Sequence, residues 1–184
     1  CFVASGAAGS LVAGMAIRRP AMMNGTWDIP TQDELPRIVA MMEDEAFYDK
    51  IARVPDADLD AALAGSRDTA LWVFRVDGRA VAYAFMTEMA TTYPKLDEFG
   101  VFERGRGYGK AALDALARKC AQTPRYEKLW LHVVDGNEAA MALYRSLGFG
   151  EELFIAKGWK TRSGKVVDQV RMWLKLDRLR TPAD

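Results

Sequence analysis

Residues 99–110 read FGVFERGRGYGK and form a glycine-rich turn between a predicted strand and a predicted helix. Backbone N–H groups at the start of a helix, together with the positive end of the helix dipole, can bind a phosphate group. Glycines let the backbone approach such an anion and adopt positive φ angles. Arg104, Arg106 and Lys110 add positive charge. The glycine turn therefore indicates an anionic ligand, although a tight turn without a ligand explains the glycines equally well.

Two familiar phosphate-binding motifs do not fit this turn. A Walker A loop ends in Gly-Lys-Ser or Gly-Lys-Thr, and that ending is missing here. A Rossmann fingerprint opens a βαβ unit, whereas this turn follows two predicted helices and a predicted hairpin. The spacing of the glycines alone is therefore a weak signal.

A second informative stretch, residues 137–149, reads NEAAMALYRSLGF and follows a predicted strand over 129–134. Ala140, Leu143 and Tyr144 lie on one helical face. Tyr144 is thus directed towards the interior, while its hydroxyl still needs a hydrogen-bond partner. The alternative interpretation of this tyrosine is an ordinary amphipathic core residue.

The rest of the chain predicts a mixed α/β fold, because strands and helices alternate along it. A capping box at Thr31 and Glu34 predicts a helix over 32–47, and Asp56 predicts the start of a second helix that ends near Gly65. Asp77-Gly78 marks a hairpin turn. Further predicted helices cover 110–120 and 138–147, and the predicted strands cover 24–29, 71–76, 80–89, 96–102, 129–134, 149–160 and 166–176.

The composition excludes several classes of function. The chain has 184 residues and no net charge, which favours one domain and disfavours nucleic acid as a partner. Cys1 and Cys120 are the only cysteines and His132 is the only histidine, so we expect no metal site and no Ser-His-Asp triad. The uncharged residues 1–17 are too few for a membrane helix. We expect a cytoplasmic domain over 23–184, an N-terminal arm over 1–22, and no membrane partner.

The two stretches together resemble the GNAT superfamily of acyl-CoA-dependent N-acetyltransferases. Arg104, Gly107 and Gly109 match the pattern Arg-x-x-Gly-x-Gly. The residues that match Asn-x-x-Ala-x-x-Leu-Tyr-x-x-x-Gly-Phe are Asn137, Ala140, Leu143, Tyr144, Gly148 and Phe149. The order of elements fits the superfamily from about residue 24 to residue 176, whereas residues 1–22 have no counterpart in it.

The resemblance implies a mixed, mostly antiparallel sheet with helices on both faces and a central splay between two parallel strands, here 96–102 and 129–134. The acyl donor acetyl-CoA would enter the splay with its pantetheine arm along an exposed strand edge. The residues that the resemblance assigns to acetyl-CoA are Val101 and Phe102 through main-chain groups, Arg104, Gly105, Arg106, Gly107, Tyr108, Gly109 and Lys110 around the pyrophosphate, and Asn137 beside pantetheine.

The resemblance also implies direct attack of a neutral amine on the thioester in a ternary complex. The N–H of Val101 would stabilise the oxyanion. Tyr144 would lie near the sulfur as the catalytic acid. Because ordinary pKa values are about 10 for tyrosine and about 8.5 for a thiol, full proton transfer is uphill by roughly 2 kcal/mol, so a hydrogen bond to the thiolate is the expected role.

The base is less well defined, because many relatives carry a glutamate six residues before the valine, where this chain has Lys95. Period-2 alternation places Asp97 on the same strand face as Lys95 and Glu98 on the other face. Asp97 is therefore the favoured catalytic base, and a surface carboxylate is the equal alternative. His132 is interpreted as a sheet histidine in preference to a catalytic one.

The acceptor is expected to be a primary amine of a small molecule. In the superfamily its pocket is shaped by segments that correspond here to 45–58 and 157–165. A long hairpin folded over the cleft would favour a small acceptor, and an open groove would favour a peptide. The alternatives are acetylation of a protein N-terminus or lysine, and a non-catalytic acyl-CoA-binding module. A homodimer is compatible with the sequence.

Overall fold

The computed structural model describes residues 23–180, so the expected arm over 1–22 and the last four residues lie outside the described residues. The helices are α1 (Leu35–Glu43), α2 (Asp56–Leu63), α3 (Tyr108–Ala121) and α4 (Glu138–Ser146). The strands are β1 (Thr26–Asp28), β2 (Ala70–Val76), β3 (Arg79–Thr87), β4 (Lys95–Val101), β5 (Lys128–Val134), β6 (Gly150–Lys160) and β7 (Val166–Lys175).

The strands form one seven-stranded sheet in the order β1-β2-β3-β4-β5-β7-β6. All neighbours are antiparallel except β4 and β5, which run parallel and share a single facing pair, Lys95 with Trp130. Strand β4 pairs along its length with β3, and β5 pairs along its length with β7. The two strands therefore separate beyond Lys95 and Trp130, which confirms the expected splay.

Two hydrophobic cores hold helices against opposite faces of the sheet. On one face, α3 and α4 pack over the central strands through residues such as Leu113, Leu116 and Met141. On the other face, α1 and α2 contribute Ile38 and Leu59 to the second core. The mixed α/β fold with helices on both faces is thereby confirmed. Within residues 23–180, no helix combines the length and apolar character needed to cross a membrane.

The first helix is shorter than the sequence predicts. It ends at Glu43, because Asp44 leaves the helical conformation with φ −68° and ψ 122°. The Asp44 carboxylate accepts a hydrogen bond from the N–H of Ala46 at 2.9 Å and thereby caps a separate 3₁₀ turn, Glu45–Phe47. The prediction of one continuous helix over 32–47 is wrong after residue 43, since an aspartate cap competes with helix continuation.

A β-bulge interrupts the alternation of β4. Phe85 faces Glu98 and Met86 faces Leu96, which leaves Asp97 as the extra residue. In a regular strand, residues two apart point to the same face of the sheet. The bulge instead places Leu96 in the core beneath α3 and α4, while Glu98 points to the face covered by α1 and α2. Bulges redirect side chains in this way and are common beside active sites.

Candidate active site

A cavity of about 510 Å³ lies where β4 and β5 separate, within the usual size range of small-molecule sites. Its walls come from both strands, from the glycine turn, from α4 and from the segment after α1. The sequence-predicted residues that line it are Asp97, Val101, Arg104, Gly105, Gly107, Tyr108, Gly109, Lys110, Asn137 and Tyr144. The structure thus brings together ten of the twelve predicted residues, and the two that do not line the cavity are Phe102 and Arg106.

The glycine turn presents unpaired backbone N–H groups to this cavity. Gly105 and Gly107 adopt φ angles of +75° and +78°, and a Cβ placed on either would meet nothing within 4 Å. Among the described residues, no acceptor pairs with the N–H groups of residues 104–110. These amides surround the N-terminus of α3, where the helix dipole favours negative charge. The turn therefore fits the diphosphate of a nucleotide-type ligand.

The main chain of β4 offers a further donor to the cavity. The N–H of Phe102 is used within the sheet, since it donates to the carbonyl of Val81 at 2.9 Å. In an antiparallel pair, successive residues direct their backbone groups to opposite sides of the strand. The N–H of Val101 therefore faces the open edge of β4. The ring of Phe102 packs against Tyr83 and lies beneath Arg37, outside the cavity.

Asn137 and Tyr144 enter the cavity from α4. Asn137 occupies the N-cap position of α4, yet its side chain makes no capping hydrogen bond. The Tyr144 ring is buried against Phe149, with the ring centres 5.6 Å apart. No described residue hydrogen-bonds to the Tyr144 hydroxyl. Burial raises the pKa of this phenol above its ordinary value, so the hydroxyl stays protonated and can act as a donor.

The two carboxyl groups of β4 lie in different environments. Asp97 is partly buried and forms an ion pair with Lys95. Glu98 is 9% exposed and accepts a hydrogen bond from the N–H of Ala52 at 3.0 Å. Burial is the main cause that raises the pKa of Glu98 well above its usual value. Glu98 also lines the cavity, so it is a functional candidate that the alternation argument set aside. The sequence analysis missed Glu98 because the β-bulge that redirects its side chain cannot be found by counting residues along one strand.

His132 lies on β5 across the cavity from these carboxyl groups. The Arg171 guanidinium donates through Nε to His132 Nε2 at 3.4 Å, which assigns the imidazole proton to Nδ1. Burial, followed by the nearby Lys95 and Arg171 charges, lowers the pKa of His132 to about 4. The imidazole is therefore neutral at physiological pH.

A smaller cavity of about 210 Å³ adjoins the larger one. The two cavities share Lys50, Asp97, Glu98 and His132. The smaller one is completed by side chains that include Lys95 and, from the β6–β7 hairpin, Trp159 and Gln169. Glu98 thus stands at the junction between a large compartment beside the glycine turn and a small compartment beneath the hairpin.

Hydrogen bonds join the tip of the β6–β7 hairpin to the segment between α1 and α2. The Asp49 cluster consists of Asp49 with Thr161, Ser163 and Lys165, all three of which donate to its carboxylate. These donors, Lys165 first, lower the pKa of Asp49 to about 2. Arg162 stacks on Tyr48 at 4.0 Å and donates to the carbonyl of Met42 at 2.6 Å. The smaller cavity is therefore bordered by two segments that are joined to each other.

Comparison with known proteins identifies related families and folds. A model of the acetyltransferase (GNAT) family matches residues 35–149. The Escherichia coli ribosomal-protein-S18-alanine N-acetyltransferase is 22% identical, with a TM-score of 0.66, over 83% of this chain and 94% of that one. Vibrio cholerae spermidine N-acetyltransferase, solved with CoA and spermine, is 15% identical, with a TM-score of 0.71, over 84% of this chain and 97% of that one. Mycobacterium smegmatis RimJ, solved with CoA-disulfide, is 14% identical, with a TM-score of 0.70, over 85% and 84%. No curated protein matches the chain.

Proposed function

The chain belongs to the acetyltransferase (GNAT) family of acyl-CoA-dependent N-acetyltransferases, and we propose that its acceptor is a primary amine of a small molecule. The acyl donor is proposed to be acetyl-CoA and the acceptor to bind beneath the β6–β7 hairpin. A cytoplasmic location and a homodimer remain predictions from the sequence.

The observation that carries the choice of a small acceptor is the Asp49 cluster. Thr161 donates to Asp49 at 2.8 Å across 112 residues of sequence, and Ser163 and Lys165 join the same carboxylate. A peptide acceptor needs a continuous groove along which its chain can extend. The joined segments instead border a compartment of about 210 Å³, which suits a small amine better.

Binding of the donor is assigned to the larger cavity. The N–H groups of residues 104–110 would hold the diphosphate, and the open edge of β4 at Val101 would pair with the pantetheine arm. Asn137, whose side chain is not used as a helix cap, would contact the same arm. The donor supplies an activated acyl group, and the protein supplies its orientation towards the acceptor.

We assign the base to Glu98, in place of Asp97, which is engaged by Lys95. A buried carboxyl with a raised pKa is a stronger proton acceptor than an ordinary glutamate, and it can take the proton of the amine directly or through a bridging water. Glu98 also lies at the junction of the two cavities, where the amine must meet the thioester. Asp97 would then serve to position Lys95 at the closed end of the splay.

The transfer then proceeds in one ternary complex. Glu98 accepts the proton that the amine gives up, while the amine nitrogen forms a bond to the carbonyl carbon and the carbon–sulfur bond breaks. The N–H of Val101 donates to the carbonyl oxygen as negative charge develops there. Tyr144 donates a hydrogen bond to the departing sulfur. Glu98 then releases its proton to solvent, and the thiolate takes up one proton from solvent and leaves as the CoA thiol.

An acceptor screen tests this function directly. Purified protein, acetyl-CoA and pools of small primary amines or of short peptides would be assayed for release of the CoA thiol and for the acetylated product. We expect release with small amines and none above background with peptides. Transfer to peptides alone would overturn the small-molecule assignment, and binding of acetyl-CoA without transfer to any pool would favour a non-catalytic module.

A further inference from the structure

The smaller cavity is lined by equal numbers of positively charged and acidic side chains, but their charges do not all pair with each other. Two lysines, Lys50 and Lys95, and two carboxyl groups, Asp97 and Glu98, line it. Lys95 and Asp97 form an ion pair and neutralise each other. The structure of residues 23–180 shows no ion pair for the ammonium of Lys50. Lys50 is thus a cation at this cavity without a matching anion.

The remaining ionisable groups do not supply that anion. Glu98 is buried, accepts the N–H of Ala52, and is assigned to the proton of the reacting amine. His132 is neutral, and the Arg171 guanidinium that donates to it adds a positive charge beside it. A bound acceptor with a second ammonium group would therefore meet Lys50 and Lys95 with no free carboxylate to compensate.

The position of Lys50 is fixed by its neighbours in the chain. Its N–H donates to the carbonyl of Phe47 at 2.8 Å. Asp49, directly before it, is bound by the hairpin, and Ala52, two residues later, is bound to Glu98. The backbone therefore holds Lys50 at the rim of the cavity, between the hairpin tip and the proposed base, although its side chain is exposed.

We propose that the acceptor is an amine that also carries a carboxylate, as an amino acid does, and that Lys50 binds this carboxylate. This inference rests on the proposed function and specifies its substrate class. The amide of Gln169 and the ring of Trp159 supply one polar and one flat apolar contact for the rest of the molecule. A compartment of about 210 Å³ accommodates an acceptor of this size.

The reaction that follows is balanced without any further reactant. The amino group loses a proton to Glu98, and its nitrogen bonds to the acetyl carbon. The carbon–sulfur bond of acetyl-CoA breaks, Glu98 releases its proton to solvent, and the thiolate takes up one proton from solvent. The products are an N-acetyl amino-carboxylate and the CoA thiol. The carboxylate of the acceptor keeps its charge throughout, so its contact with Lys50 acts in binding.

The test compares acceptors that differ only in the carboxylate. Pools of the amino acids, of their amides and of the corresponding decarboxylated amines, together with spermidine, would be assayed by release of the CoA thiol. We expect kcat/KM for the best amino acid to exceed that of its amide by at least about tenfold, the range of a charge-assisted hydrogen bond. Lys50→Gln should remove this difference mainly through KM, and Lys50→Glu should reverse it in favour of spermidine and diamines.

Lys160→Glu serves as the matched control, because it makes the same charge change on the hairpin at an exposed residue that does not line either cavity. It should leave the acceptor preference unchanged. Equal rates for acids and amides, a preference for spermidine, or a preference for amines that carry a phosphate would overturn the carboxylate assignment while leaving small-molecule acetylation intact. Transfer to none of these amines would instead overturn the proposed function.

Discussion

The carboxyl group of Glu98 accepts the backbone N–H of Ala52 at 3.0 Å, and this hydrogen bond joins the bulged central strand to the segment between α1 and α2. The same carboxyl group is the one that we assign as base. A substitution at residue 98 that keeps this hydrogen bond therefore tests the chemistry separately from the connection to the acceptor side.

Glu98→Gln preserves the hydrogen bond from Ala52 but removes the proton acceptor. We expect kcat to fall by about 10²–10⁴-fold, the usual contribution of a general base. In the wild type, kcat/KM should rise with pH through an inflection that lies above the ordinary glutamate pKa, and this inflection should vanish in the variant. Steady-state kinetics over pH 5–9 measure both effects.

Asp97→Asn is the matched control for this substitution, because it alters the neighbouring carboxylate without touching the bond to Ala52. Its kcat should change much less than that of Glu98→Gln. If instead Asp97→Asn abolished turnover and Glu98→Gln did not, the base would be the residue that strand alternation favours.

Tyr144→Phe removes the hydroxyl that faces the larger cavity and keeps the ring contact with Phe149. We expect kcat to fall by about 10- to 100-fold, as the loss of a hydrogen bond to a charged group predicts. The KM for acetyl-CoA should change little, since the interaction forms only as the sulfur departs. Tyr93→Phe, at an exposed tyrosine, is the control. An unchanged kcat in Tyr144→Phe would exclude this tyrosine from the mechanism.

Much of the fold could be predicted from the sequence, because the glycine turn and the helix with Tyr144 are short patterns of neighbouring residues. The separation of β4 from β5 followed from the resemblance that those patterns carry. The bulge at Asp97 was not accessible, since it depends on how Met86 and Phe85 of the neighbouring strand align with Leu96 and Glu98. Counting residues along one strand assumes regular alternation, and so it gave preference to Asp97.

The acceptor side was the least accessible part of the site. The end of α1 at Glu43 had a local signal, because Asp44 is a favourable helix cap. The Asp49 cluster had none, because its three donors lie 112 to 116 residues from Asp49 in the chain. Interactions over such separations depend on the assembled sheet and leave no periodic pattern in the sequence.

Asp49→Ala should loosen the hairpin over the smaller cavity. We expect the KM for the acceptor to rise by about two- to fivefold, in keeping with the modest strength of exposed ion pairs. The KM for acetyl-CoA should stay the same, and amide hydrogen exchange should accelerate at residues 161–165. Asp114→Ala, which breaks an exposed ion pair with Arg118 on α3, is the control. If both KM values stayed at their wild-type levels, the hairpin would have no role in acceptor binding.

The partly buried position of His132 predicts a specific dependence of stability on pH. Its folded-state pKa is lowered to about 4 from 6.5, so only the unfolded state takes up this proton between those two values. The contribution of His132 to the free energy of unfolding should therefore fall as the pH drops from 6.5 to 4, by up to about 1.4 kcal/mol per pH unit.

Urea unfolding of the wild type and of His132→Gln at pH 7, 6 and 5 measures this contribution as the difference between the two proteins. The variant should gain stability relative to the wild type as the pH falls. A difference that is independent of pH would contradict the assignment of a neutral imidazole.

Gly100→Ala should destabilise the centre of the sheet. A Cβ at this position would lie 2.2 Å from Cε1 of Tyr83, a fully buried ring that cannot move away. Overpacking of this kind typically lowers the free energy of unfolding by about 1–3 kcal/mol. Gly109→Ala is the control, because its Cβ would meet Leu143 and Val101 at an ordinary 3.4 Å. Equal stability of the two variants in thermal unfolding would refute the steric argument.

Because only Lys95 and Trp130 pair between β4 and β5, the sheet could be separated into two fragments at this point. A chain cut in the connection between α3 and β5, at residues 122–127, would yield two fragments whose strands share almost no hydrogen bonds with each other. Their reassociation would depend on side-chain packing, on the hydrogen bonds of the Asp49 cluster and on a ligand that spans the gap. The two halves could therefore serve as a split reporter whose assembly responds to the concentration of the thioester.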